Sequence, residues 1–258
     1  LAPERNLKQA ANQGGPSKMI FQRVEPKQAI ASILLACLAT ISSTAQQLDS
    51  ASVIRQVDAA VKARIDHVEG YTVTEHYAVY RGKDEVHPAA EMTVKTVYRK
   101  ETGKSYTIVS QSGSEFIGKH VLNNLLDNEK EINLPGIREH SWITSANYEM
   151  KLKTGATEQM DGRNCVALAI APRRKAPNMI EGTLWVDASD GTIVRLEGTT
   201  SQSPSIFTDP ARVMRRYVKM SGFGMATQAR AVSDSFLLGR TTVTIDYRDY
   251  QIQVIPAK

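Results

Sequence analysis

The sequence predicts a mainly β, α+β domain: a largely antiparallel sheet accompanied by two helical segments. Three observations carry that expectation. About nine or ten runs rich in Val, Thr and Tyr follow one another, with period-two alternation and turn residues between them. Only two stretches show helical spacing. Strands follow strands without alternating helices, which argues against a βαβ plan.

Residues 1–18 lack apolar periodicity and read as upstream sequence or a non-native start. From Met19, Arg23 and Lys27 precede the apolar run "AIASILLACLATI", and Ser43-Thr44-Ala45 offers small residues before Gln46. That is the layout of a signal peptide over 19–45, cleaved near Ala45. The run is shorter than the ~20 residues a membrane span needs. Leu34-Leu35-Ala36-Cys37 also resembles a lipobox, which makes Cys37 an alternative lipid anchor. The remainder, 46–258, is long enough to bury a core as a single domain.

Within it, Ile54, Val57, Val61, Ile65 and Val68 form one helical stripe, capped by Asp49 or Ser50 and closed by Gly70. "YTVTEHYAVYR", "EMTVKTVYRK" and "KSYTIVSQS" read as three consecutive strands. "SEFIGKHVLNNLLDNEKEI" returns to helical spacing at Ile117, Val121, Leu122 and Leu125, and Pro135-Gly136 marks a loop. Strands resume at "NYEMKL", "RNCVALAIA", "ARVMRRYVKMS", "ATQARAVSDSFLL" and "RTTVTIDYRDYQIQV". Between them, "GTLWVDASDGTIVRLEG" is a hairpin whose Asp190-Gly191 suits a two-residue turn. Such a turn pairs Trp185 with Leu196 and Asp187 with Val194.

Several chemistries find no support. Aligning Gly191 with position 6 of a calcium loop puts Val186 and Ala188 where oxygen ligands are required. The five histidines form no ligand pair, and Cys165 is the sole cysteine after Cys37. No Gly-x-Ser-x-Gly elbow is present, and "GFGMAT" lacks a third glycine. Neither a cofactor nor a metal is expected. Residues 46–258 carry 27 basic and 25 acidic side chains, a balance of +2 that offers no footprint for nucleic acid. Arg215-Arg216 reads as a charged strand edge.

The motifs "TSANYEMKL", "DGRNCVALAIAPRRK", "IEGTLWVDASDGTIVRLEG", "SPSIF", "RRYVKMSGFGMAT" and "GRTTVTIDYRDYQI" span roughly Ser145–Ile252. In that order they resemble the bacterial outer membrane lipoprotein-sorting proteins, a LolA-like family. The resemblance implies a strongly curved antiparallel sheet, an incomplete barrel closed by the N-terminal helix and the second helical segment. It also implies a periplasmic, non-enzymatic carrier of lipoprotein acyl chains or other lipids, with a membrane surface or membrane protein as a possible partner. Trp185, Val194, Leu196, Cys165 and Ala167 are the expected ligand-lining residues. Arg173, Arg174 and Lys175 are the expected headgroup contacts. Two alternatives stand beside the carrier: a periplasmic sensor or protein-interaction domain on the same scaffold, and a secreted hydrolase.

Overall fold

The computed structural model describes residues 49–153, 157–203, 209–235 and 239–255, all within one unit, Gln46–Lys258. Residues 1–18, the span 19–45 expected to be a signal peptide with Cys37 and Ala45, and all of "SPSIF" after its first serine lie outside the described residues.

Helix α1 (Ser50–His67) begins where Asp49 accepts hydrogen bonds from the Ser52 and Ala51 amides, at 3.0 and 3.3 Å. Its stripe buries Val53 and Val57 completely, with Ile54 and Val61 packed beside them. Each fully buried valine contributes about 1.5–3 kcal/mol by leaving water. The helix stops at His67, and Gly70 belongs to the first strand. A β-carbon at Gly70 would stand 2.8 Å from the Tyr98 carbonyl oxygen, so glycine is needed there for strand contact, not as a helix cap.

The strands are β1 (Val68–Arg81), β2 (Ala90–Arg99), β3 (Gly103–Gly113), β4 (Tyr148–Leu152), β5 (Glu158–Met160), β6 (Arg163–Pro172), β7 (Ile180–Asp187), β8 (Ile193–Thr200), β9 (Arg212–Met220), β10 (Phe223–Ser235) and β11 (Gly239–Val254). They form one open sheet in the order β3-β2-β1-β11-β10-β9-β8-β7-β6-β4, with β5 paired to β6, and every pairing is antiparallel. Lys104 on β3 and Ile193 on β8 line the same cavity. Six strand spacings separate them, about 29 Å in a flat sheet. The sheet is therefore strongly curved, an incomplete barrel.

One cross-strand row defines the inner face: Leu168, Leu184, Leu196, Arg215, Ala229, Ile245, Tyr77 and Met92 pair in succession. The adjacent row on the outer face runs Ala167, Trp185, Arg195, Arg216, Gln228, Asp246, His76 and Thr93. Apart from Arg215, the first row is apolar, and polar residues make up most of the second, as a period of two demands. Arg215 and Arg216 lie on β9, between β8 and β10, so they mark an interior strand and not an edge.

The hairpin differs from the two-residue turn in register. Asp187 and Thr192 close the loop through the Asp187 amide and Thr192 carbonyl (2.9 Å), leaving four residues between them. A bulge follows between Trp185 and Val186, and the pairs become Trp185–Arg195 and Leu184–Leu196. A shift of one residue exchanges faces. Leu196 consequently shares the inner core with Leu184, while Trp185 points outward.

The second helical segment comprises α2 (Glu115–Ile117), a π-helical turn (Gly118–Leu122) and α3 (Asn123–Ile132). Its buried residues are Ile117, Gly118, Leu122 and Leu126. The interval from Ile117 to Leu122 is five residues because the π turn carries one extra residue. That insertion is why Leu126, and not Leu125, faces the sheet. Under this segment lies a core of Tyr77, Val79, Met92 and Val94; under α1 lies another of Val166, Leu168, Leu184 and Leu196.

Candidate ligand cavity

Between α1, α3 and the inner face lies a cavity of about 530 Å³, within the ~300–1,000 Å³ range of small-molecule sites. Seven aromatic side chains line it: Tyr71, Tyr98, Trp142, Tyr217, Phe223, Tyr247 and Tyr250. Three form a continuous wall. Tyr98 stacks on Tyr71 with centroids 4.9 Å apart, and Tyr71 meets Tyr250 at 5.6 Å. Tyr247 and Tyr250 would alternate faces on a regular strand. A bulge between the pairs at Thr74–Arg248 and Thr72–Gln251, with Asp249 at a φ of 57°, brings both inward.

The cations Arg64, Lys104, Arg138 and Arg215 and the carboxylates Glu129 and Asp190 also reach this cavity. Lys104 pairs with Glu129 at 2.9 Å and approaches Glu75 at 4.0 Å. Glu75 is 1% exposed and accepts a 2.5 Å hydrogen bond from the Tyr77 hydroxyl. Burial opposes ionisation of Glu129, but the Lys104 ammonium and Arg215 guanidinium outweigh it and hold its carboxyl below the usual range. Asp190 pairs with Lys219 and accepts from the Thr192 amide at 2.9 Å. Burial raises the Tyr98 hydroxyl above its ordinary value, with Arg138 and Arg64 pulling the other way.

The wall bearing Arg138 and Trp142 is fixed by backbone capture. Asn147 donates to the Glu139 and Trp142 carbonyls at 2.8 and 2.9 Å. Asp58 on α1 accepts from the Ser145 amide and hydroxyl at 2.8 and 2.5 Å. Arg173 and Arg174 donate to the carbonyls of Ser145 and His140, at 3.0 and 2.9 Å, and Lys175 is exposed beside them.

None of Trp185, Val194, Leu196, Cys165 and Ala167 lines this cavity. Leu196 is packed into the core beneath α1, and Val194 is buried at the hairpin bulge. Trp185, Ala167 and Cys165 share the outer-face phase; Cys165 is fully buried, and Trp185 lies under the Arg195 guanidinium at 5.5 Å. Asp187, Asp190 and Glu197 do not converge: Asp187 holds Ser189, Asp190 holds Lys219, and Glu197 holds Arg195. Among the described residues no three His, Cys, Asp or Glu side chains are grouped to hold a metal ion. The aromatic wall escaped sequence reasoning. Its one visible signal was Glu75, a charge sitting in phase with Val73 and Tyr77.

No family model and no curated protein matches the chain. Among solved structures it is similar to LolA-superfamily proteins. A LolA superfamily protein from Nitrosomonas europaea is 11% identical with a TM-score of 0.42, over 81% of this chain and 96% of that one. A putative outer membrane lipoprotein-sorting protein domain from Vibrio parahaemolyticus is 11% identical with a TM-score of 0.43, over 81% and 94%. A DUF1329 family protein from Desulfovibrio piger is 14% identical with a TM-score of 0.38, over 80% and 95%. No helix among the described residues is long and apolar enough to cross a membrane.

Proposed function

We propose that the chain is a periplasmic carrier that binds an acyl chain, of a lipoprotein or another lipid, without chemical turnover. The aromatic-walled cavity under α1 and α3 carries this reading. Moving an acyl chain from water into such a space gains about 0.8 kcal/mol per CH₂ buried. Release then needs a membrane or partner offering an equally apolar site. Binding is favoured over catalysis because most of the cavity's ionic groups are committed to the fold: Lys104 to Glu129, Asp190 to Lys219, and Arg138 to Glu139.

Trp142 lines the cavity and Trp185 sits on the outer face, and these are the only two tryptophans. Intrinsic fluorescence therefore reports occupancy directly. Adding long-chain lipids to the full chain, stripped by organic extraction, shifts Trp142 emission in the Trp185→Phe variant and leaves the Trp142→Phe variant silent. Mass spectrometry of the extract identifies any lipid carried through purification. A clean extract, together with no uptake of offered lipid, would sink the carrier reading and bring the protein-interaction alternative forward.

A further inference from the structure

The cavity's cations are not equally satisfied. Lys104 faces Glu129, Arg138 donates from Nε to Glu139 at 3.2 Å, and Arg215 interacts electrostatically with Glu129. The Arg64 side chain has no hydrogen-bond or ion-pair partner among the described residues, although its Nε is buried. A buried donor left unmade costs about 1–3 kcal/mol, more for a charged group, and each specific case calls for an explanation. Arg64 also shares a corner with a second guanidinium. Arg138 donates to the Tyr98 hydroxyl at 3.0 Å and lies 5.8 Å from that ring's centre, and both arginines act electrostatically on the same hydroxyl. From this corner the aromatic wall leads away through Tyr71 to Tyr250.

We infer that the carried ligand is an anionic amphiphile: its carboxylate or phosphate is held by Arg64, assisted by Arg138 and Tyr98, and its apolar body lies along Tyr71 and Tyr250. This rests on the carrier reading and narrows it to a substrate class. Guanidinium forks match carboxylate and phosphate oxygens in pairs, and such bonds strengthen in a site removed from water. An uncharged amphiphile would leave Arg64 as it stands here, buried at Nε and unanswered. Arg138, only 12% exposed and already tied to Glu139 and Tyr98, is the positioned second donor.

The test is equilibrium dialysis of the full chain against three ligands sharing one C16 chain: palmitate, palmitoyl lysophosphatidic acid and hexadecanol. The two acids bind at least about tenfold more tightly than the alcohol, the equivalent of one charged hydrogen bond. Arg64→Gln reduces that preference to less than about threefold, and its far-UV circular dichroism and urea midpoint, measured beside the unaltered chain, show that the variant is folded. Arg64→Lys retains part of the preference, and Lys83→Gln, on an exposed turn, retains all of it. The acid that loses more on Arg64→Gln identifies the headgroup as carboxylate or phosphate. Equal binding of hexadecanol by the unaltered chain, or a preference that survives Arg64→Gln, overturns this inference and leaves the carrier reading standing. Failure of all three ligands overturns both.

Discussion

Gly191, at the tip of the β7–β8 hairpin, lies directly against the backbone of Val57 in α1. A β-carbon there would come within 2.6 Å of both the Val57 nitrogen and the Gln56 carbonyl oxygen, and its φ is 73°. The Asp-Gly pair thus serves two purposes, turning the hairpin and letting it dock on the helix that roofs the cavity.

Gly191→Ala should therefore cost more than backbone strain alone, about 2–4 kcal/mol in urea denaturation. Gly82→Ala supplies the comparison, because Gly82 has a φ of 65° and no heavy atom within 4 Å of where a β-carbon would stand. It should cost only about 1–2 kcal/mol. Equal losses at the two positions would mean that the contact with α1 contributes nothing.

Lys104 stands between two carboxylates on separate elements, Glu129 on α3 and Glu75 on β1. Lys104→Met removes the ammonium that the two carboxylates share and should destabilise by about 3–5 kcal/mol. Replacing Glu75, Lys104 and Glu129 together by Leu, Met and Leu should cost less than the single change, since both carboxylates leave with their shared ammonium and only Arg215 loses a carboxylate neighbour. A triple variant weaker than the single one would show that the network does more than fasten α3 to the sheet.

The same pair sets a pH dependence with a definite sign. The Glu129 carboxyl is held below its ordinary value, so its contribution is complete above the unfolded value of about 4.3 and is lost as pH falls through the folded one. Lys104 is held above its ordinary value despite burial, mainly by Glu129, so its contribution disappears only at strongly alkaline pH. Thermal unfolding from pH 7 downward should show a steeper loss for the unaltered chain than for Glu129→Gln. Parallel curves would remove Glu129 from the account of acid lability.

Much of the architecture was legible in local patterns. Helix α1, the strands from Tyr71 onward and the antiparallel order follow from apolar spacing and turn residues, both properties of neighbouring positions; the stripe itself differs in that Val53 is buried beside Val57 and Val68 begins β1. The short strand β5 was not, because three residues carry no readable period. The cavity was less legible still. Tyr247 and Tyr250 are three residues apart and meet only through the bulge at Asp249, and Arg64 joins Tyr98 only because α1 crosses the sheet.

The hairpin separates the two kinds of information most clearly. That "GTLWVDASDGTIVRLEG" would be two strands around an Asp-Gly turn was determined by the sequence alone, through β-branched residues and a glycine free to take positive φ. Which face Trp185 and Leu196 occupy was decided only in the tertiary structure. Turn length and the Trp185–Val186 bulge set the register, and those depend on how the tip packs against α1. Periodicity specifies that neighbouring side chains diverge, whereas the inward side exists only once something covers it.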